Sequence, residues 1–405
     1  MSSSKSDSTA PPIIFVVMQT ENQANGGVES ITLVIERLKR FRPIVITQLE
    51  TPIVERWRRA GAEVHIWPLP YKTNISFSES PFLQKWKRFF SLLQTNLKMA
   101  RLVRSMRGSV IHCNDMVGFL HYALGAKLAG EVIVFNIRGT NSEERYNWRW
   151  HWAYRLSDAV VVLSQEMGQQ FTKKLGIGKS KDKFHFIYSV IDLSDIESTL
   201  EINRLKTRCQ LKIPGDQIAI GYVGVFRPLK AQLAFIEQVL PTLKRIYPEC
   251  HVYFLGDFEP EHNAYARRCA EAVRMLNLSD FVSFVGYVDN IYEWYQALDL
   301  TIVASVREGL ARSMIESLAC GTPVVSFDVC SAREILEGYR CGFVVPKGEY
   351  SALLEQIRYL IEHPELRQAF GEAGARAAVE LFDPVYVVQK YEDLYLSLSK
   401  VRDEL

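Results

Sequence analysis

The chain of 405 residues contains no apolar run approaching ~18 residues, so no segment reads as a membrane-spanning helix. Its seven cysteines (113, 209, 250, 269, 320, 330 and 341) are scattered and form no C-x-x-C pair. That spacing argues against a disulfide framework and suits buried thiols in a reducing cytosol. Neither H-E-x-x-H nor a paired C-x-x-C zinc pattern occurs, so no metal ligands are predicted. Gly178-Lys179-Ser180 imitates the end of a P-loop, but position 173 is Lys where that motif needs Gly. The segment reads as a basic loop. The opening MSSSKSDSTAPP is polar and reads as a disordered tail over residues 1–12, without a signal peptide. Arg402-Asp403-Glu404-Leu405 imitates an ER-retention tag, a chance match in a chain read as cytosolic.

What is present is an ample core, with 48% hydrophobic residues, and an uneven charge. Residues 1–200 carry 26 Lys and Arg against 18 Asp and Glu, a balance of +8, whereas residues 201–405 carry 22 against 28, a balance of −6. A chain of this length and asymmetry suggests two domains, the basic one meeting an acidic partner or surface. Strand and helix patterns alternate, which predicts parallel sheets covered by helices. One strand series runs Ile13–Met18, Pro43–Thr47, Glu63–Trp67, Val110–Cys113, Val132–Ile137, Ala159–Leu163 and Phe184–Tyr188. A second runs Ile218–Val223, Val252–Leu255, Val282–Val285, Leu300–Val303, Val324–Phe327 and Phe343–Val345. The strand-poor, charged stretch 192–216 separates them and holds Pro214-Gly215. This sets expected domains at 13–200 and 201–380, with a final helix over 381–405.

The most informative stretch is 307–328, REGLARSMIESLACGTPVVSFD. Glu308 and Glu316 bracket the start of a helical run from Leu310 to Cys320, stopped by Gly321-Thr322-Pro323. Glu308 falls in the turn before that helix, where free backbone N–H groups attract an anion. Glu316 falls ~12 Å further along the helix body. Two carboxylates around an anion site suit a ligand with hydroxyls at both ends and phosphate between; an amphipathic helix with two exposed glutamates is the plain alternative. Gly221-Tyr-Val-Gly224-Val-Phe-Arg227-Pro-Leu-Lys230 ends a strand and delivers two cations at the carboxyl edge of a sheet, where such folds bind ligands. Arg227 offers a bidentate fork and Lys230 a point charge to a bound anion.

Together Asp299, Ser305, Glu308, Gly309, Glu316, Ala319, Gly321, Pro323 and Val324-Val325 resemble the signature of retaining glycosyltransferases of family 4. The resemblance implies a GT-B fold, two Rossmann-like doubly wound α/β domains facing a cleft, with the last helices from about Pro364 onward crossing back to the first. It implies a nucleotide-sugar donor, UDP- or GDP-linked, on the second domain and a glycan or lipid-linked acceptor on the first. No further cofactor and no metal is implied, and the chain has no Asp-x-Asp motif to bind one. In that likeness Glu308, with Gly309 and Leu310, meets the donor sugar, Glu316 holds the ribose, and Arg227 and Lys230 clamp the diphosphate. Gly224 opens the clamp loop. Gly26-Gly27, expected in a loop before a helix Ser30–Arg40, resembles the glycine loop near the donor phosphates. Gly286-Tyr287 resembles the loop beside the base. Arg138-Gly139 stands where the family often has His-Gly, so Arg138 is the candidate to reach sugar or acceptor. Tyr188-Ser189-Val190-Ile191-Asp192 departs from the family hinge, Asp328-Val-Cys-Ser331 lacks its usual glycine pair, and His112 reads as structural. A non-catalytic nucleotide-sugar-binding subunit and an epimerase of the same fold are the alternative functions.

Residues 81–107 contain Lys85, Lys87, Arg88, Lys98, Arg101, Arg104 and Arg107 and no acid, interleaved with Trp86, Phe89, Phe90, Leu93, Leu97 and Leu102. Such a basic amphipathic helix either lies on an anionic bilayer or packs its apolar face inward and solvates its charges. Trp148, Arg149, Trp150 and Trp152 form a second aromatic and basic cluster. No nucleic-acid-binding motif accompanies either, so nucleic acid is not an expected partner. The expected location is the cytoplasm, with peripheral contact to a membrane face.

Overall fold

The computed structural model describes residues 10–19, 26–69, 82–106, 109–139, 147–177, 183–200 and 203–403. Most of the tail expected over 1–12, and the basic loop at 178–180, lie outside them. The chain divides into two compact units, one formed by the chain up to Val190 and from Pro384 onward, the other by Ile191–Asp383.

The first unit is built on β1 (Pro12–Val16), β2 (Arg42–Thr47), β3 (Glu63–Ile66), β4 (Val110–Cys113), β5 (Val132–Ile137), β6 (Ala159–Val162) and β7 (Phe184–Phe186). They form one parallel sheet in the order β3-β2-β1-β4-β5-β6-β7. Short β-branched runs such as Ile133-Val134-Phe135 are buried on both faces, the expected signature of a parallel sheet covered by helices. The helix Pro384–Asp403 completes this core with Val387, Val388, Tyr391, Leu394 and Tyr395. Its buried Glu392 accepts hydrogen bonds from the Lys39 and Arg40 amides at 2.7 and 2.8 Å and from Arg40 Nε at 2.9 Å. The preceding helix, Pro364–Phe382, stays with the second unit.

The second unit carries β8 (Ile218–Val223), β9 (Cys250–Leu255), β10 (Val282–Gly286), β11 (Leu300–Val303), β12 (Val324–Phe327) and β13 (Gly342–Val345) in the parallel order β10-β9-β8-β11-β12-β13. In both sheets the strand order reverses direction beside the first strand, between β1 and β4 and between β8 and β11. Loops leaving the carboxyl ends there splay apart and leave room for a ligand. The changeover between units at Val190 precedes the charged stretch 192–216, because the helices Leu193–Leu200 and Arg204–Gln210 both pack on Ile291–Ala297 of the second unit. Asp299 ties that stretch down: it accepts from the Ala219 amide at 2.8 Å and pairs with Arg204 and Arg208. No helix among the described residues is long and apolar enough to cross a membrane.

Candidate active site

At the switch point of the second sheet, β8 runs into Gly224, whose φ of +151° lies in a region that favours glycine. A Cβ on Gly256, at the end of β9, would lie 2.3 Å from the Gly224 carbonyl oxygen, so the two loops cross backbone to backbone. The chain then turns through the short 3-10 segment Pro228–Lys230 and a left-handed Ala231 into the helix Gln232–Gln238. The loop is held from inside: Tyr222 Oη donates to the Lys230 carbonyl, and buried Gln232 donates from Nε2 to the Val225 carbonyl at 2.9 Å. This rigid frame leaves Arg227 exposed on a cavity it lines with Asp257, Glu259, His262, Asn263 and Tyr265. Asn263 builds that wall. Its Nδ2 donates to the Phe226 carbonyl while its Oδ1 caps the helix Ala264–Met275.

The loop after β11 joins the same site. The Val306 amide donates to the Leu229 carbonyl at 2.9 Å, and Lys230 Nζ lies 2.6 Å from Glu308 Oε1. Both side chains of this pair are largely buried. Glu316 stands on the helix Arg312–Ala319, 12% exposed, with its Oε1 2.9 Å from Arg312 Nε and its Oε2 3.4 Å from Tyr295 Oη. Burial, with the Glu316 carboxylate beside it, pushes the Tyr295 phenol well up, so it stays a neutral donor. Gly309 accepts from Ser331 Oγ at 3.3 Å, and Leu310 is buried beneath the turn. Ser331 sits at φ +72°, a left-handed conformation glycine would take easily. Gly286 closes β10 at φ +85°, accepting from the Gly256 amide, and Tyr287 beyond it is exposed.

Gly224, Arg227, Lys230, Glu308, Gly309, Leu310 and Glu316 thus lie on the loops of β8 and β11 and the helix that follows, at one sheet edge. Gly286 and Tyr287 end the neighbouring β10. Arg312 and Tyr295 were not singled out in the sequence, where Ser331 stood only as part of a departure from the family's glycine pair. Arg312 carried a readable signal, standing four residues before Glu316 on a predicted helix.

The other candidates belong to the first unit. Gly26 and Gly27 are the first turn of the helix Gly26–Arg37, where a loop was expected, and that helix ends three residues short of Arg40. Arg138 follows β5 and donates from Nε to Asn114 Oδ1 at 2.9 Å. His112 is wholly buried in β4, its Nδ1 2.8 Å from Tyr395 Oη on the last helix. Burial, aided by the Arg138 charge, lowers its pKa to about 3, so it is a neutral core residue.

Residues 203–377 match the family described as Glycosyl transferases group 1, and residues 52–195 match Glycosyltransferase Family 4. The N-acetyl-alpha-D-glucosaminyl L-malate synthase of Bacillus anthracis is 24% identical over 376 residues, covering 88% of this chain and 94% of that protein. The capsular polysaccharide biosynthesis glycosyltransferase CapM of Staphylococcus aureus is 24% identical over 362 residues, covering 86% and 93%. Among solved structures, Anabaena Alr3699/HepE in complex with UDP aligns with a TM-score of 0.76 at 19% identity, over 95% of this chain and 100% of that one. A glycosyltransferase family 4 match on the first part of the chain and a glycosyltransferase group 1 match on the second thus lie on two doubly wound sheets that share the fold of these GT-B structures.

Proposed function

We propose that the chain is a retaining, metal-independent glycosyltransferase that moves a hexosyl group from a UDP- or GDP-sugar to a hydroxyl of a glycan or lipid-linked acceptor at the cytoplasmic face of a membrane. The observation that carries this reading is the gathering of two cations and two carboxylates on two loops and the helix that follows them, at one switch point. A nucleoside diphosphate has charge in the middle and hydroxyls on either side, the same order as this cluster. Arg227 and Lys230 take the diphosphate, Glu308 the sugar hydroxyls and Glu316 the ribose hydroxyls, with Gly286 and Tyr287 beside the base. Alr3699/HepE, whose fold this chain shares, has been captured with UDP-glucose.

In the transfer, the bond from the anomeric carbon to the phosphate oxygen breaks and its electron pair stays on the diphosphate. The acceptor oxygen bonds to that carbon on the face the diphosphate leaves, and the acceptor proton passes to the leaving phosphate oxygen. The developing negative charge falls where Arg227 and Lys230 stand. Preorganised donors of this kind contribute ~10²–10³ in rate each. Glu308 holds Lys230 in place, so little reorganisation is needed when the phosphate arrives.

The test is hydrolysis of UDP- and GDP-sugars without acceptor, in EDTA, with the anomer of the released sugar read by NMR before mutarotation. Release of the donor's own anomer supports the reading. Release of the opposite anomer, or full loss in EDTA rescued by Mn²⁺, contradicts it, and binding without any turnover favours a non-catalytic subunit.

A further inference from the structure

The helix Phe82–Arg104 presents to solvent the residues that a core-packed helix would bury. Trp86, Phe89, Phe90, Leu93 and Leu97 are 51, 56, 55, 51 and 49% exposed. Their spacing of three and four residues makes one stripe. Trp86, Phe89 and Phe90 lie with ring centroids 5.9–6.3 Å apart, so the stripe begins as a continuous aromatic patch.

The face turned inward is polar or small in its first half. Arg88, Ser91 and Thr95 are buried, followed by Met99 and Val103. Thr95 Oγ1 lies 3.0 Å from His121 Nδ1, and Asn96 accepts from the Gly125 amide at 2.7 Å and donates to the Leu120 carbonyl at 3.2 Å. A Cβ on Gly125 would lie 1.9 Å from the Asn96 carbonyl oxygen, so this helix and Met116–Leu128 pack backbone to backbone. These contacts fix the helix rotation. Turning the stripe inward would break them and bury aromatic rings where no room exists.

Nor are all the cations available. Arg88 is buried, and Lys98 Nζ sits 4.2 Å over the Trp67 ring. Lys87, Lys98, Arg101 and Arg104 are the exposed ones among the described side chains, and of these Lys98 leans over Trp67. On a helical wheel, Lys87 and Arg101 flank the stripe on one side, and Arg104, five turns beyond Trp86, closes its end.

We infer that this helix is a membrane-insertion surface: its aromatic and leucine stripe enters the acyl boundary of an anionic bilayer, with Lys87, Arg101 and Arg104 at the headgroups. The apolar stripe, not the charge, then holds the protein to the lipid, and the three cations select an anionic surface. A patch of this size rimmed by like charge suits a lipid interface better than bulk water. The inference is independent of the transfer reading, because it concerns a surface of the first unit and is read without substrate.

The test is sedimentation of the full chain with vesicles of phosphatidylcholine alone or mixed with phosphatidylglycerol. Three proteins are compared: wild type, Phe89→Ser with Phe90→Ser and Leu93→Ser, and Lys87→Gln with Arg101→Gln and Arg104→Gln. All three positions of each set are exposed, and equal melting curves verify folding. Wild type should pellet with the anionic vesicles and keep a bound fraction at ~0.5 M salt, where surface charge is screened. The serine variant should lose at least ~10-fold in binding at every salt. The glutamine variant should lose only the low-salt increment. Wild type that stays in the supernatant, or a serine variant that pellets like wild type, overturns the inference. So does a lipid-free wild-type dimer that the serine variant splits, because the stripe would then cover a second copy.

Discussion

Replacing Lys230 by Ala isolates the charge on which the proposed chemistry depends. The Lys230 carbonyl is held by Tyr222 whatever the side chain, and Nζ contacts Glu308 at 2.6 Å. Removal therefore deletes one cation and leaves the loop path intact. The cost to folding comes from Glu308, 15% exposed, losing its partner. A partly solvated pair of this kind is worth ~1 kcal/mol. The cost to the reaction is larger, since the ammonium faces charge that appears only as the diphosphate departs: ~10²–10³ in kcat, or ~3–4 kcal/mol of barrier. Steady-state kinetics with a saturating UDP- or GDP-sugar, beside a thermal melt, separates the two. The expected result is a melt within a few degrees of wild type and kcat down at least ~100-fold. Lys230→Arg should recover part of that rate. An alanine variant within threefold of wild type, equally folded, would refute the assignment.

The two glutamates should part in their effects. Glu308→Gln is expected to lower turnover more than it weakens nucleotide binding, and Glu316→Gln to do the reverse; kcat and the UDP dissociation constant, measured on each, check this. Arg312→Ala should resemble Glu316→Gln, because its guanidinium orients that carboxylate from 2.7–2.9 Å. Stability should fall in mild acid. Burial lowers His112 to about 3 and His121 to about 4, both below the unfolded value of about 6.5. The unfolded chain then binds the protons first, so their contribution is full above pH 6.5 and shrinks as pH drops toward 4. At pH 5 that amounts to ~2 kcal/mol for each histidine. Urea titrations at pH 7.5 and 5 measure it, and identical midpoints would contradict the buried neutral assignments.

Much of the fold was legible because parallel strands buried on both faces declare themselves as short β-branched runs. The predicted Val110–Cys113, Val132–Ile137, Ile218–Val223, Leu300–Val303 and Val324–Phe327 coincide with the strands of the structure. The Glu308 and Lys230 loops were legible for a related reason: each follows such a strand, so topology brings them to one edge. What the sequence concealed were long-range pairings and the facing of one helix. The His112 contact with Tyr395 spans 283 positions and leaves no local periodicity. The helix Phe82–Arg104 misleads a pattern reading that sends aromatics inward, because a close backbone approach at Gly125 and polar contacts at Thr95 and Asn96 decide its rotation. Lys98 and Arg88, counted as surface charge in the sequence, are taken up by Trp67 and by burial.

The measurement that bears most directly on the account is nucleotide binding by thermal shift. Wild type and Glu316→Gln are melted with UDP, GDP, ADP and their sugars. A diphosphate at 100 times its dissociation constant should stabilise wild type by about 2.7 kcal/mol. The account predicts such a shift for UDP or GDP and their sugars, and a clearly smaller one for Glu316→Gln at the same concentration. Melting curves that none of these nucleotides moves, or a shift that Glu316→Gln leaves unchanged, would contradict the placement of the donor at this sheet edge.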